Sequence, residues 1–189
     1  MTVDNIIGKL LGDISEAINL HGDGGDLSWS GISKIATSLS ASAAQLTLKA
    51  EFEVPFGRYL IHKDSDFNIQ LDVFSENYIG APHNHDTWGV LGVISGVLEV
   101  TDYQLTADSL VTLRKSILPS GSVSGFREFE DWHSTMTFAL PQVASFHVYG
   151  AAFDMDNGKR FVEKSGIEEY ARGTLHTIDE TRSFLVARS

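Results

Sequence analysis

The sequence predicts a mainly β fold, a sandwich or barrel of many short strands, with helices ahead of it. Three observations carry this. An amphipathic stripe occupies the first residues, short segments rich in Val, Ile, Phe, Thr and Tyr begin at about residue 52, and clusters of Gly, Pro, Ser, Asn and Asp separate them. At 189 residues, 42% hydrophobic and 21% charged, the chain is long and apolar enough to bury a core.

Each element follows from its own pattern. Val3, Ile6, Ile7, Leu10, Leu11, Ile14 and Ile18 fall at the i, i+3, i+4, i+7 spacing of a helix with one apolar face. HGDGGD, 21–26, is a loop by composition. A second helix is expected from about Ser30 to Leu48, a stretch rich in Ala, Ser and Leu. Residues 1–50 are thus expected to form a helical segment packed on the β part, and 51–189 the β part with a C-terminal tail. Within it, FNIQLDVF (67–74), WGVLGVISGVLEVTDYQL (88–105), SLVTLRKSIL (109–118), STMTFAL (134–140) and VASFHVYGAAF (143–153) read as strands. The last stretch, IEEYARGTLHTIDETRSFLVARS, reads as a mixed tail.

Charge and composition exclude several functions. Fourteen Lys and Arg against 25 Asp and Glu leave a net charge of −11, without the basic footprint that nucleic acid or an anionic membrane requires. With no cysteine there is neither a disulfide nor a thiolate–metal site. The N-terminal residues carry an acid early, unlike a signal peptide, and no apolar run approaches the ~18 residues that cross a bilayer. A soluble cytosolic protein is the expectation.

The chemistry concentrates in histidines. In APHNHDTWG, His83 and His85 stand two apart at the entry to a strand. Alternation puts residues i and i+2 on one face, about 6–7 Å apart, so two imidazoles can converge on one metal ion. Two solvent-facing loop histidines would give the same pattern. His133, in EDWHSTMTF, is a possible third ligand at another strand start. Three histidines from neighbouring strands would close one side of an ion and leave other positions open for chemistry. In VASFHVYG, Ser145, His147 and Tyr149 share one strand face. A hydroxyl, an imidazole and a phenol in a row can form a hydrogen-bonded relay, or simply one satisfied polar network.

Taken together, these segments resemble the cupin superfamily and, within it, the thiol dioxygenases. The resemblance implies a double-stranded β-helix (jelly-roll) barrel with the helices outside it. The first cupin motif carries HxH, then an acid, then a glycine. His83, His85 and Gly96 match it, and counting back from Gly96 puts the expected acid at Gly89, so the usual carboxylate ligand is missing. Thiol dioxygenases are known for a three-histidine site, and the DWH ending at His133 resembles the family's third-ligand segment. SFHVYG matches its Ser-x-His-x-Tyr strand, and HDTWGVLGVISG looks like the bacterial 3-mercaptopropionate branch. The likeness spans roughly residues 55 to 162, with its two motifs about sixty residues apart.

What the resemblance implies is concrete. His83, His85 and His133 would hold Fe(II); Ser145, His147 and Tyr149 would form the outer triad; the partners would be a small carboxylated thiol, of 3-mercaptopropionate, mercaptosuccinate or cysteine type, and O2, giving the sulfinate. With no cysteine to cross-link it, Tyr149 is unmodified. The family's arginine two residues after a tyrosine is absent, since Ile61 follows Tyr59 there. Arg160 in DNGKRF is the nearest match to the arginine that anchors the substrate carboxylate in the mercaptopropionate branch, with Arg58, Lys63 and Arg127 as alternatives. Trp88 is a candidate pocket wall or a core residue. Two other readings stand beside this one: a cupin metalloenzyme acting on a non-thiol substrate, and a non-catalytic cupin that binds a small molecule.

Overall fold

A computed structural model describes residues 2–23, 26–48, 54–107, 109–127, 132–138, 142–176 and 185–188. The chain starts with α1 (Val3–His21), the two short strands β1 (Gly22–Asp23) and β2 (Asp26–Leu27), and α2 (Trp29–Gln45). Strands β3 (Leu46–Leu48), β4 (Gly57–Lys63), β5 (Phe67–Phe74), β6 (His83–Asn84), β7 (Gly89–Ser95) and β8 (Val97–Leu105) follow. Then come β9 (Leu110–Pro119), β10 (Val123–Phe126), β11 (His133–Thr137), β12 (Val143–Gly150) and β13 (Asn157–Val162). The last are β14 (Gly166–Ala171), β15 (Leu175–His176) and β16 (Leu185–Ala187).

Both helices start at side-chain caps. The Thr2 hydroxyl accepts from the Asn5 N–H, and the Ser28 hydroxyl from the Gly31 N–H. The stripe on α1 buries Ile6, Ile7, Leu10 and Ile14, and α2 buries Ile32, Ile35 and Leu39. Three details differ from the expectation. α2 stops at Gln45, because Leu46–Leu48 pair antiparallel with Leu185–Ala187, a distant partner that overrides the local helix preference. HGDGGD is less open than its composition implies, since Gly22–Asp23 pair with Asp26–Leu27. The mixed tail contributes β14, β15 and β16, which dock onto three different sheets.

Two six-stranded sheets form the body, in the orders β10-β7-β12-β5-β4-β15 and β14-β13-β6-β11-β8-β9. From β5 to β13 the chain crosses between them at every connection except β8–β9, which is the winding of a double-stranded β-helix. Gly96, at φ 77°, makes the tight turn from β7 into β8, where a Cβ would lie 2.8 Å from the Val143 side chain.

The first sheet has two different faces, and its sequence shows why. On β5, Phe67, Ile69, Leu71 and Val73 are packed in one apolar core with both helices, and Phe146 and Val148 of β12 join them. The alternate residues, Asn68, Gln70 and Asp72 on β5 and Ser145, His147 and Tyr149 on β12, therefore face the second sheet. Between the sheets, Leu91, Val93 and Val143 meet Leu98, Val100 and Leu118 in a second apolar cluster. Beyond that cluster the space between the sheets opens into a cavity of about 590 Å³ lined by histidines, arginines and aromatic rings.

Candidate metal centre

Strand pairing assembles the histidines. His83 is the register partner of His133 on one side and of Arg160 on the other, so these three side chains form a row across β11, β6 and β13. His85 lies just past the end of β6 and completes the group. One ring nitrogen from each of His83, His85 and His133 lies within 4.8 Å of the others. His85 and His133 are buried, and His83 is partly exposed at the cavity wall. The His83 Nδ1–H donates to the Ala81 carbonyl at 2.9 Å, which leaves the Nε2 lone pair for an ion.

Electrostatics keep these rings ready to ligate. Burial, then the neighbouring His133, holds the His83 pKa down to about 3. Burial, then His83 and His133, depresses that of His85 well below its ordinary value. Both are therefore neutral near pH 7, as a metal ligand must be.

The missing acid has a structural counterpart. A Cβ on Gly89 would stand 2.3 Å from the Phe126 ring and 3.0 Å from Tyr149. Phe126 is the register partner of Gly89 and stacks on His85 at 5.3 Å between ring centres. An aromatic ring thus fills the space a carboxylate would need at this position, and among the described residues the donor set is imidazole alone.

The relay residues lie on the facing sheet. Ser145 Oγ is 2.8 Å from His147 Nε2, and Tyr149 Oη is 2.9 Å from His147 Nδ1. All three are buried, and the Tyr149 ring stacks on His85 at 4.6 Å, so the relay abuts the ligand group. Burial, the larger effect, lowers the His147 pKa, the Asp72 carboxylate opposes it, and the Arg58 charge lowers it further. An Asp72 oxygen lies 3.6 Å from Nε2 and favours the tautomer with its proton on that nitrogen. In that tautomer Nδ1 accepts the hydrogen bond from the Tyr149 hydroxyl.

Cations surround this cavity. Arg160 lines it beside His83, pairs with Glu168 at 3.3 Å, and keeps a buried Nε–H without an acceptor. Arg58, the residue before Tyr59 and one of the alternatives to Arg160, lines it too. Arg172 was not foreseen. It lies over the Phe153 ring at 4.6 Å and lowers the pKa of both His83 and His85. Arg127 instead pairs with Asp26, and Lys63 is exposed at the end of β4 outside the lining. Trp88 is not among the residues that line this cavity. It belongs to the core beneath the helices, because alternation sends it to the opposite face from Gly89.

No protein-family model matches the chain, and no curated protein does. Among solved structures it is similar to KdgF from a Halomonas species, at 17% identity and a TM-score of 0.39, over 49% of this chain and 76% of that one. It is also similar to an uncharacterized conserved protein with a double-stranded beta-helix domain from Klebsiella pneumoniae, at 15% identity and a TM-score of 0.39, over 49% and 70%. A cupin superfamily protein from Desulfitobacterium hafniense matches at 12% identity and a TM-score of 0.39, over 59% and 86%. The strand winding and the ligand cluster together define a mainly β chain of double-stranded β-helix form, with a three-histidine group that could hold a metal ion. Among the described residues no helix is long and apolar enough to cross a membrane.

Proposed function

We propose that the chain is a non-haem iron thiol dioxygenase that oxidises a small carboxylated thiol with O2 to the sulfinate. One observation carries the reading: a group of three histidines, without a carboxylate among the described residues, abuts a buried Ser145–His147–Tyr149 relay at one arginine-lined cavity.

The donors fit a divalent transition ion, because three imidazoles, from β6, the residue just past its end, and β11, suit iron, nickel, copper and zinc alike. Bound Fe(II) would supply the redox chemistry with O2 and a ligand position for sulfur. Three neutral donors leave the ion's double positive charge uncompensated, which favours an anionic thiolate over a neutral ligand. Arg160 would pair with the substrate carboxylate and so fix the sulfur against the histidine row. Tyr149, held by His147, keeps a proton at its hydroxyl on the cavity wall, where it can be lent to the reacting group and recovered. Phe126 and Phe153 close the apolar side and exclude water.

The test is oxygen uptake by anaerobically iron-loaded protein, challenged with 3-mercaptopropionate, mercaptosuccinate, cysteine and cysteamine. Uptake with a carboxylated thiol but not with cysteamine is expected. No uptake with any thiol at stoichiometric iron would overturn the proposal in favour of a non-thiol substrate. His83→Ala is expected to lose both iron and turnover. Tyr149→Phe is expected to keep iron and slow turnover by about 100-fold, the scale of a lost proton-transfer group.

A further inference from the structure

Asp72 biases the His147 tautomer but touches no substrate group in the scheme above, yet it stands at the centre of the wall that carries the relay. Its register partners are Arg58 on β4 and Ser145 on β12, so the three side chains form a row on the face turned to the second sheet. Asp72 itself lines the cavity. Neither neighbour satisfies it. The Arg58 guanidinium donates to the Gln70 side-chain oxygen and to the carbonyls of Met155 and Gly173. Ser145 is taken up with His147 at 2.8 Å, and the His147 ring stays 3.6 Å from the carboxylate. One oxygen, Oδ1, is left buried without any hydrogen-bond donor. Native proteins rarely leave a buried carboxylate oxygen so, because the group loses water and gains nothing in exchange.

Among the described residues, Asp72 is also the one acid lining a cavity whose other charged lining groups include Arg58, Arg160 and Arg172. Its charge is felt there: the Tyr78 hydroxyl, which lines the same space, has its pKa raised by burial first and by Asp72 second. A second substrate carboxylate near Asp72 would be repelled, whereas a group carrying N–H donors and positive charge would complete it. The cavity, at about 590 Å³, lies within the range of sites that enclose ligands well beyond three carbons, so there is room for such a group.

We infer that Asp72 is a specificity-determining residue that accepts a protonated amine of the substrate, so that the cavity selects amino-bearing carboxylated thiols over simple mercapto acids. The inference rests on the proposed function for the thiol and goes beyond it in naming what the far wall recognises. Arg160 would take the carboxylate beside the histidine row, and Asp72 the ammonium across the cavity from it.

The test uses the full chain loaded with redox-inert Zn(II), and calorimetric titration with L-cysteine and 3-mercaptopropionate, which differ only in the amine. L-homocysteine and 4-mercaptobutyrate form a second such pair. The amino member of at least one pair is expected to bind about tenfold tighter or more, the scale of one charge-assisted hydrogen bond. Asp72→Asn is expected to bring both ratios within about twofold while zinc stoichiometry stays unchanged. Asp72→Ser, with a smaller side chain, serves the same purpose should the amide variant misfold. A preference for the amine-free member in both pairs overturns the inference. A ratio that survives both variants assigns the amine to the metal and also overturns it. Mercaptosuccinate binding tighter than cysteine, with a further gain in Asp72→Asn, would reassign the wall to a second carboxylate. The two readings fail separately. Protein that binds cysteine through Asp72 but consumes no oxygen keeps this inference and loses the dioxygenase, and protein that oxidises cysteine and 3-mercaptopropionate equally well does the reverse.

Discussion

Single imidazoles decide how this molecule responds to acid. His85 and His147 are buried with lowered proton affinity, and His83 is held down to about 3. The unfolded chain takes up protons on these residues below about 6.5, and the folded chain does not. Stability of the metal-free protein is therefore complete above that value and is lost as pH falls from about 6.5 towards 3. Each imidazole contributes at most ~1.4 kcal/mol per pH unit within that window. Urea unfolding at pH 7.5 and 5.5 measures the effect. The stability difference is expected to shrink in a His85→Gln, His147→Gln double variant, and equal stability of the native chain at both pH values would refute the account. Bound metal is expected to carry the same loss to lower pH and not to flatten it, since it keeps protons off the ligand histidines of the folded chain while the unfolded chain still takes them up.

At the scale of elements, the pairing of β7 with β10 sets the ligand chemistry. Gly89 on β7 permits Phe126 on β10 to lie against it and against His85. Gly89→Ala is expected to cost roughly 1–3 kcal/mol through overpacking. Adding Phe126→Ala is expected to recover part of that loss, because the clash is with this ring. A thermal melt of the two single variants and the double would show the coupling, and strict additivity would show that the clash is not with Phe126. The same pair explains how far the sequence could be read. His83 and His85 were legible as possible ligands from spacing, and His133 as a third and the absent acid at Gly89 from the family motifs that the sequence resembles. What replaced the acid was not, because Phe126 lies on VSGF, a segment too short and glycine-broken to announce a strand. Long strands such as β5 and β12 were legible from their β-branched and aromatic content. The polar residues between, Asn68, Gln70 and Asp72, already carried the inward face of β5, but alternation does not say what lies opposite. Arg172 was hidden for a related reason. It follows β14 in a stretch of mixed character, and only the β13–β14 hairpin brings it over Phe153. The end of α2 and the strand at Leu46–Leu48 depended on a partner about 140 residues away, which no local pattern contains.

The molecule as a whole sets a conflict between its net charge and its cavity. The chain carries −11, while three arginines line the space where an anionic substrate would bind. At a distance of about 20 Å in water one unit charge contributes about 0.2 kcal/mol, so the whole net charge opposes an approaching monoanion by about 2 kcal/mol at very low salt. At ~150 mM salt the Debye length is ~8 Å, and most of that repulsion is gone. The attraction inside the cavity acts over a few ångströms between partly buried groups and is screened much less. Long-range repulsion is therefore the term that salt removes first. For a carboxylated thiol, kcat/KM is expected to rise several-fold between about 10 and 150 mM salt, the opposite of an enzyme whose whole surface steers its substrate inward. Arg160→Gln is expected to raise KM and leave this salt profile in place, because the repulsion comes from the whole surface and not from that side chain. A fall in kcat/KM over the same range would mean that the cavity's field already dominates at the mouth, and that the arginines act as a funnel as well as an anchor.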